Sequence, residues 1–375
     1  MRALYQDFAT SDLQRAPNAN TGLWYDKYCD WPVKNGQVDW DLSSYKEGNC
    51  EINPKQDWIG TVTGQKAGDS EAIAAACQRL NQLAEKTWGT DPPQIFKTQW
   101  RFVSGLGGEH PVENGFAWHH TLGVPYLPGS SVKGMVRAWA EHWLNEDKDD
   151  IARILGPREA GEVGSVIFFD ALPTDAVQLE LDIMTPHYGP YYAEGEAPGD
   201  WHDPVPIPFL TVAANQTFQF LIAPRHRDCE QSRQDAETAR GWLRDALEWI
   251  GAGAKTAVGY GRFERNIDAE IAIQEKLEKK KQEQDKIQKL KTMEPFDRKI
   301  EEIITSASGQ KPYILLLNYL DSENLNEEEA KNIACRIRDL MKEAKVWKEH
   351  SKAKRPDKDK DYLRTKKIMY FIGGI

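Results

Sequence analysis

Four cations lie in two glycine-rich segments far apart in the sequence, and they are the side chains best suited to bind an anion. They are Lys133, Arg137, Lys255 and Arg262. The neighbouring glycines matter because a residue without a side chain lets a ligand approach the backbone and its N–H donors. The two segments, residues 127–143 and 251–263, therefore predict a phosphate site.

The first segment predicts a helix with two different faces. The turn at Pro128 and Gly129 precedes Ser130 and Ser131, either of which is predicted to act as the N-cap. Apolar residues then recur on one face that we expect to be buried. These are Val132, Met135, Val136, Trp139 and Trp143.

The other face of this helix carries Lys133 and Arg137. Gly134 lies in its first turn and allows close approach of a ligand backbone. A helix N-terminus presents free N–H groups and a partial positive charge, so the arrangement favours a phosphate. The alternative is an ordinary capped helix with two surface cations.

The second segment reads GAGAKTAVGYGRF and follows a predicted helix. It is not a P-loop, because Ala254 and Trp249 stand where that motif requires glycine. It is not a dinucleotide fingerprint either, because that motif runs from strand to glycines to helix. The segment predicts a flexible loop whose backbone donors lie along an extended polyanion. Its predicted contacts are Gly251, Gly253, Lys255, Thr256, Gly259, Tyr260 and Arg262.

Histidines offer a second kind of chemistry. The neighbours His119 and His120 point apart on a strand, and the HExxH spacing is absent, so no metal site is predicted. A metal-free ribonuclease uses one histidine as base and another as acid, which leaves His110 and His119 as candidates. We favour hydrogen bonding and RNA contact for His119 and His120, and for the pair His187 and Tyr188.

Composition narrows the function. The 375 residues carry a net charge of −10, so RNA binding requires a local patch of cations. No apolar run is long enough to cross a membrane and the N-terminus lacks a signal pattern, which predicts a cytoplasmic protein. The five scattered cysteines indicate neither disulfides nor a zinc site. No cofactor is predicted.

Residues 1–93 are rich in aromatic side chains that we expect to pack on a core. Examples are Trp24, Tyr25, Tyr28, Trp31, Trp40, Tyr45 and Trp58. Residues 70–88 have helical periodicity. Residues 94–268 then read as strand, helix, strands, helix, strand, with one strand predicted over 209–223 and a long loop over 185–208. This βαββαβ order predicts an α+β, ferredoxin-like (RRM-like) domain with long loop insertions.

The composition changes after residue 268. Residues 269–292 predict a solvated helical spacer, because Glu, Lys and Gln dominate. Residues 293–375 predict an α-helical extension, in which Asn326 and Glu329 form a capping box. The basic run 352–367 is interleaved with aspartates, so a solvated surface is expected there.

Several segments together resemble a known family. The segments PYLPGSSVKGMVRAW and GAGAKTAVGYGRF resemble the RAMP superfamily of CRISPR-associated RNA-binding proteins. More narrowly, the run GLGGEHPVENGFAWHHTLGVPYLPGSSVKG, followed by DIMTPHYGPYY and DPVPIPFLTVAANQTFQFLIAP, resembles the family of sixth subunits of type III-B Cmr effector complexes. The resemblance covers residues 94–266 and not the extension.

This resemblance implies a non-catalytic backbone subunit for antiviral defence that binds the 3′ part of the guide RNA (crRNA). The implied partners are crRNA, target RNA and other Cmr subunits, namely the repeated backbone subunit, the small helical subunit and the capping RAMP subunit. Two alternatives stay open. One is a RAMP-type endoribonuclease using His110, His119 or Asp170. The other is an interaction protein that binds only protein.

Overall fold

The protein consists of helices and short strands, and its longer strands are buried along most of their length. The structure is a computed structural model, and it describes residues 15–16, 18–29, 33–34, 37–38, 42–158, 161–199, 201, 204–306, 310–322, 325–350 and 356–373. Trp31 and Trp40 lie outside these ranges. The chain divides into two units, residues 1–274 and 275–375.

The helices and strands are numbered along the chain. The helices are α1 (Thr21–Lys27), α2 (Pro54–Thr63), α3 (Ser70–Trp88), α4 (Gly129–Trp139), α5 (Lys148–Leu155), α6 (Gly189–Glu194), α7 (Glu230–Trp249), α8 (Ile267–Thr292), α9 (Pro295–Thr305), α10 (Pro312–Ser322), α11 (Glu327–Glu343) and α12 (Lys360–Ile372). The strands are β1 (Val33–Lys34), β2 (Gln37–Val38), β3 (Tyr45–Glu47), β4 (Cys50–Ile52), β5 (Gln94–Thr98), β6 (Trp118–His119), β7 (Val124–Pro125), β8 (Val166–Phe168), β9 (Leu172–Pro173), β10 (Leu179–Met184), β11 (Ile207–Val212), β12 (Thr217–Phe220), β13 (Ile222–Pro224) and β14 (Phe263–Arg265).

An antiparallel sheet with the strand order β14-β5-β12-β9 lies in the first unit. Its strands and the two helices α4 and α7 follow one another as strand, helix, strand, strand, helix, strand. Phe96 of β5 pairs with Phe218 of β12 on one side and with Arg265 of β14 on the other. The fold is a mixture of helix and strand, as the sequence predicts.

Aromatic side chains fill the core beside this sheet. Phe102, Phe218 and Phe263 are fully buried, and their rings meet edge to face with centroids 5.4 to 5.9 Å apart. Edge-to-face contact is a favoured geometry for aromatic pairs, so it stabilises the sheet beyond simple burial. Tyr25 and Trp58, from the aromatic N-terminal residues, belong to the same hydrophobic cluster.

The single strand predicted over residues 209–223 is wrong. The segment forms β11, β12 and the start of β13, which belong to different sheets, because β11 pairs with β10, β12 with β5 and β13 with β8. Between β11 and β12, Asn215 adopts a left-handed conformation with φ of 62°, which turns the chain. The loop predicted over 185–208 also contains the short helix α6.

Trp143 was predicted on the buried face of the first core helix, and that prediction is also wrong. The α-helix ends at Trp139, and residues Ala140–Leu144 form a turn of π-helix. A π turn holds one more residue than an α turn and rotates the side chains that follow it. Trp143 is therefore 61% exposed and stacks on Trp139.

The second unit is helical and has its own hydrophobic core. Tyr313 and Leu316 of α10 pack with Ile333 and Ile337 of α11 and with Ile368 of α12. The predicted capping box is confirmed: the Asn326 side chain accepts a hydrogen bond from the Glu329 N–H, and the Glu329 carboxylate accepts one from the Asn326 N–H.

Replacing Asn326 by alanine removes the cap of α11 and should lower the free energy of unfolding of the second unit by about 1 kcal/mol. Urea unfolding followed by helical circular dichroism measures this loss. The matched control is Asn332→Ala, an exposed position inside the same helix, where alanine should be neutral or slightly stabilising. Equal effects at the two positions would contradict the capping argument.

Candidate nucleic-acid interface

The glycine loop, residues 251–261, is shaped by backbone geometry that only glycine accepts without strain. Gly251, Gly253 and Gly261 have φ of 77°, 83° and 70°. A Cβ atom at Gly253 would lie 2.2 Å from the Val103 carbonyl oxygen, and one at Gly261 would lie 1.8 Å from the Ala252 carbonyl oxygen. These glycines are required by close backbone packing within the protein.

Hydrogen bonds attach the loop to the segment that follows β5. The Ala254 N–H donates to Val103 O and the Gly261 N–H donates to Arg101 O, both at 2.8 Å. Within the loop, the Ala252 N–H donates to Gly261 O, also at 2.8 Å. The prediction of a flexible loop is therefore wrong, because three of its donors are used to fix its conformation.

The start of α4 differs from the prediction as well. Pro128 is the N-cap, and neither Ser130 nor Ser131 caps the helix with its side chain. The Asp170 carboxylate instead accepts a hydrogen bond of 2.7 Å from the Gly129 N–H. A carboxylate distant in sequence takes the capping role and supplies a negative charge that complements the helix dipole.

The glycine loop and the start of α4 face each other across an open cleft with a volume of about 560 Å³. The third wall is the segment after β5. The lining residues are Ser104, Gly105, Leu106, Gly107, Ala117, Leu127, Pro128, Ser131, Met135, Ile250, Gly251, Gly253, Ala254 and Thr256. The structure thus brings together the two segments that the sequence singles out.

Lys133 and Arg137 do not line this cleft. Each follows a cleft residue of α4 by two positions, Ser131 and Met135 respectively, so each lies about 200° further around the helix axis. The Arg137 guanidinium donates to the Leu155 carbonyl oxygen at 3.1 Å and to that of Gly156, and it pairs with Glu141. Arg137 therefore holds the end of α5.

Lys133 is half-buried on the same flank as Arg137. Partial burial, together with the positive charges of Arg137 and Arg225, lowers the pKa of Lys133. Like charges disfavour the protonated amine, and a phosphate nearby would relieve this repulsion. Gly134 lies on the exposed side, where a Cβ atom would meet nothing within 4 Å.

Three predicted contacts in and after the glycine loop, Lys255, Tyr260 and Arg262, do not line the cleft. The Lys255 ammonium lies 5.5 Å from the centroid of the Phe209 ring, and the Arg262 guanidinium donates to the Glu248 carbonyl oxygen at 2.9 Å. The Tyr260 hydroxyl donates to Asp182; burial and this bond raise the pKa of Tyr260 to about 12. Gly259 has φ of 98° and ends a short 3₁₀ turn.

The three histidines and the tyrosine predicted as further RNA contacts lie outside the cleft. His119 accepts a hydrogen bond from the Leu122 N–H at its Nδ1, and His120 is exposed on the following turn. His187 and Tyr188 are exposed in the segment between β10 and β11. None of these four residues lines the cleft.

The His110 side chain is held by two hydrogen bonds to the backbone and by a stacked ring. Its Nδ1 accepts from the Val112 N–H, its Nε2 donates to the Tyr25 carbonyl oxygen, and its ring stacks on the Tyr25 ring at 4.3 Å. These contacts assign the neutral Nε2–H tautomer. Burial lowers the pKa of His110 to about 4.

The described residues were also compared with the requirements of a metal site and of a membrane span. In the described ranges, no group of three or more His, Cys, Asp or Glu side chains is arranged to hold a metal ion. Over the same ranges, each helix is too short or too polar to span a bilayer.

The residues that sequence reasoning missed are mostly apolar. Leu106, Met135 and Ile250 line the cleft, whereas the sequence predicts Met135 on the buried face of the first helix. The available signal was the glycine pair at 105 and 107. Their role depends on a contact with residues about 150 positions later, which no local pattern encodes.

Comparison with known proteins now defines the class. Residues 58–264 match the RAMP superfamily, so the chain belongs to that superfamily. A CRISPR system Cmr subunit, Cmr6 of Pyrococcus furiosus, is 36% identical over 230 residues, which cover 45% of this chain and 66% of that protein. Cmr6 of Saccharolobus solfataricus is 32% identical over 167 residues, covering 43% and 52%.

The chain thus spans just under two thirds of the first relative's length and about half of the second's. Among solved structures, the type III-B Cmr-beta complex bound to cognate target RNA contains a chain with 27% identity and a TM-score of 0.45, with coverage of 56% of this chain and 71% of that one.

Protonation of His110 should destabilise the first unit. The pKa of His110 is about 4 in the folded protein, where the ring is buried, and 6.5 in the unfolded chain, where it is exposed, so the unfolded chain binds the proton more tightly. Stability is then complete above pH 6.5 and is lost as the pH falls towards 4, by at most about 3 kcal/mol. Urea midpoints from pH 7 to pH 5 measure the slope. His110→Gln should flatten it, whereas exposed His226→Gln should leave it unchanged.

Alanine at Gly261 should destabilise the first unit by more than about 2 kcal/mol, because it adds a clash to the cost of a left-handed conformation. The matched control is Gly134→Ala. That glycine lies inside α4 with open space around it, so alanine should stabilise the protein by up to about 1 kcal/mol. Thermal unfolding measures both, and a harmless Gly261→Ala would contradict the description of the loop.

Proposed function

We propose that this chain is a non-catalytic subunit of a type III-B Cmr effector complex that binds crRNA in antiviral defence. The observation that carries the proposal is the cleft, which the start of α4 and the glycine loop form together. Both segments fall within the residues that match the RAMP superfamily. The two relatives described as Cmr6 support the choice of complex.

We further propose a ferredoxin-like arrangement for the RAMP core. The order strand, helix, strand, strand, helix, strand supports it, as does an antiparallel sheet in which the first and third strands are central. The aromatic residues 1–93 pack on this core in the proposal, since Tyr25 and Trp58 share its hydrophobic cluster. Residues 269–292 are a spacer and residues 293–375 an added helical domain.

RNA contacts in this proposal come from both flanks of α4. Lys255 and Arg262 neutralise phosphates beside the glycine loop, while Lys133 and Arg137 do so on the opposite flank. Hydroxyls and backbone groups of the predicted site residues supply hydrogen bonds and allow close approach. Such contacts position RNA without reading its sequence. His119, His120, His187 and Tyr188 remain candidates for contacts with RNA or a neighbouring subunit.

The ribonuclease alternative has less support. Both ring nitrogens of His110 are engaged in hydrogen bonds, and its low pKa keeps the ring neutral at pH 7. His119 accepts a backbone hydrogen bond, and Asp170 caps α4. A general acid and base pair needs free nitrogen or oxygen atoms within reach of one substrate group. The three candidates are instead used to hold the fold.

The proposed partners follow from membership of such a complex. They are crRNA, target RNA and neighbouring Cmr subunits, including the repeated backbone subunit, the small helical subunit and the capping RAMP subunit. The complex would act in the cytoplasm. Within the complex, this chain would contact the 3′ part of the crRNA.

Replacing Lys255 by alanine should weaken binding of single-stranded RNA and lower the slope of log K against log salt by about one phosphate contact. The double variant Lys133→Ala with Lys255→Ala should lose about two. Filter binding at several salt concentrations measures both effects. Lys66→Ala, an exposed lysine before α3, is the control and should leave the slope unchanged. An unchanged affinity and slope in the double variant would contradict the RNA-binding proposal.

A further inference from the structure

We infer that the cleft between α4 and the glycine loop holds a nucleobase of the bound RNA, with the phosphates outside it. The inference rests on the proposed function and specifies which part of the RNA enters the cleft. It differs from the phosphate site that the sequence predicts, and three observations support it.

The first observation is the chemistry of the cleft wall. None of the described residues that line it has an ionisable side chain. Phosphate binding draws its affinity from nearby cations, which this wall does not provide. Leu106, Leu127, Met135 and Ile250 instead give it apolar surface. A mainly apolar pocket with a few polar groups suits a flat heterocycle with polar edges.

The second observation is the charge at the helix start. The Asp170 carboxylate lies 2.7 Å from the Gly129 nitrogen, where an anion bound to the N-terminus of α4 would otherwise sit. The N–H that would attract a phosphate is therefore already paired with a negative group. A phosphate placed beside it would experience repulsion at short range.

The third observation is the position of the cations. Lys133 lies about 200° around α4 from Ser131. Lys255 lies in the chain between the cleft residues Ala254 and Thr256, and its ammonium is 5.5 Å from the Phe209 ring, while Arg262 follows the loop and donates to the Glu248 carbonyl oxygen. Cations are thus available on either side of the cleft but not within it. A single strand crossing the cleft would place its phosphates near these cations and direct one base inward.

Polar groups inside the cleft match the edge of a base. The hydroxyls of Ser131 and Thr256 have no hydrogen-bond partner in the described part of the chain, so both are available to donate or accept. The Ser104 hydroxyl is used, since it donates to the Tyr126 carbonyl oxygen at 2.8 Å. Met135 is partly buried against the core and offers a polarisable thioether to a ring.

The experiment compares two RNA oligomers of equal length and charge with the full-length protein, one with uracil bases and one abasic throughout. Wild type should bind the abasic oligomer at least about fivefold more weakly. Met135→Ala should weaken binding of the uracil oligomer and narrow the difference between the two, with the salt slope unchanged. Exposed aromatic residues elsewhere also bind bases, but Met135→Ala does not affect them. Only base binding in the cleft makes the effect of Met135→Ala depend on whether the oligomer carries bases.

Further variants sharpen the result. Met135→Leu keeps the apolar surface and should bind both oligomers like wild type. Met184→Ala, at a partly buried position in β10, should leave the ratio of the two affinities unchanged. Asp170→Asn keeps the oxygen that accepts from Gly129 and removes the charge. It should change affinity less than about twofold if a base occupies the cleft.

Two outcomes would overturn the inference while leaving the proposed function intact. One is an equal loss of both oligomers in Met135→Ala. The other is tighter binding of both oligomers by Asp170→Asn with a salt slope about one unit larger, which would place a phosphate at the helix start. If wild type bound neither oligomer, the proposed function would fail together with the inference.

Discussion

The structure depends on backbone hydrogen bonds between the glycine loop and the segment that follows β5. Ala254 donates to Val103 and Gly261 donates to Arg101, both at 2.8 Å. A Cβ atom at Gly253 would clash with the Val103 carbonyl oxygen, and one at Gly261 would clash with the Ala252 carbonyl oxygen. The same contacts place the end of α7 beside the sheet and lead the chain into β14. One set of bonds therefore fixes both the wall of the cleft and an edge of the sheet.

Helix α4 has two exposed flanks, and they carry different kinds of side chain. One flank carries Ser131 and Met135 and borders a cleft without ionisable lining residues among those described. The other carries Lys133 and Arg137, and Arg137 is committed to the carbonyl groups at the end of α5. The two cations that looked like part of one phosphate site belong to a separate surface. Helical periodicity of 3.6 residues per turn requires this separation once Ser131 faces the glycine loop.

The sequence predicts features that local chemistry determines. Gly251 and Gly253 mark the loop beside the cleft, the apolar periods mark α4 and α7, and Asn326 with Glu329 marks the start of α11. Features that depend on distant contacts were not predictable. The Asp170 carboxylate caps a helix that begins 41 positions earlier, and the π turn after Trp139 redirects Trp143 through one extra residue. Neither leaves a periodic signal.

Three carboxylates around the proposed interface are engaged by hydrogen-bond donors within the protein. Asp170 accepts from the Gly129 N–H, Asp182 accepts from Arg101 and from the Tyr260 hydroxyl, and Glu141 pairs with Arg137 and Arg158. These three carboxylates are thereby paired with donors within the protein. The charge of −10 consequently acts at a distance, where salt screens it within about 8 to 10 Å. In the proposed interface, affinity for RNA depends on short-range contacts with the backbone, hydroxyls and apolar wall of the cleft, together with the few cations beside it.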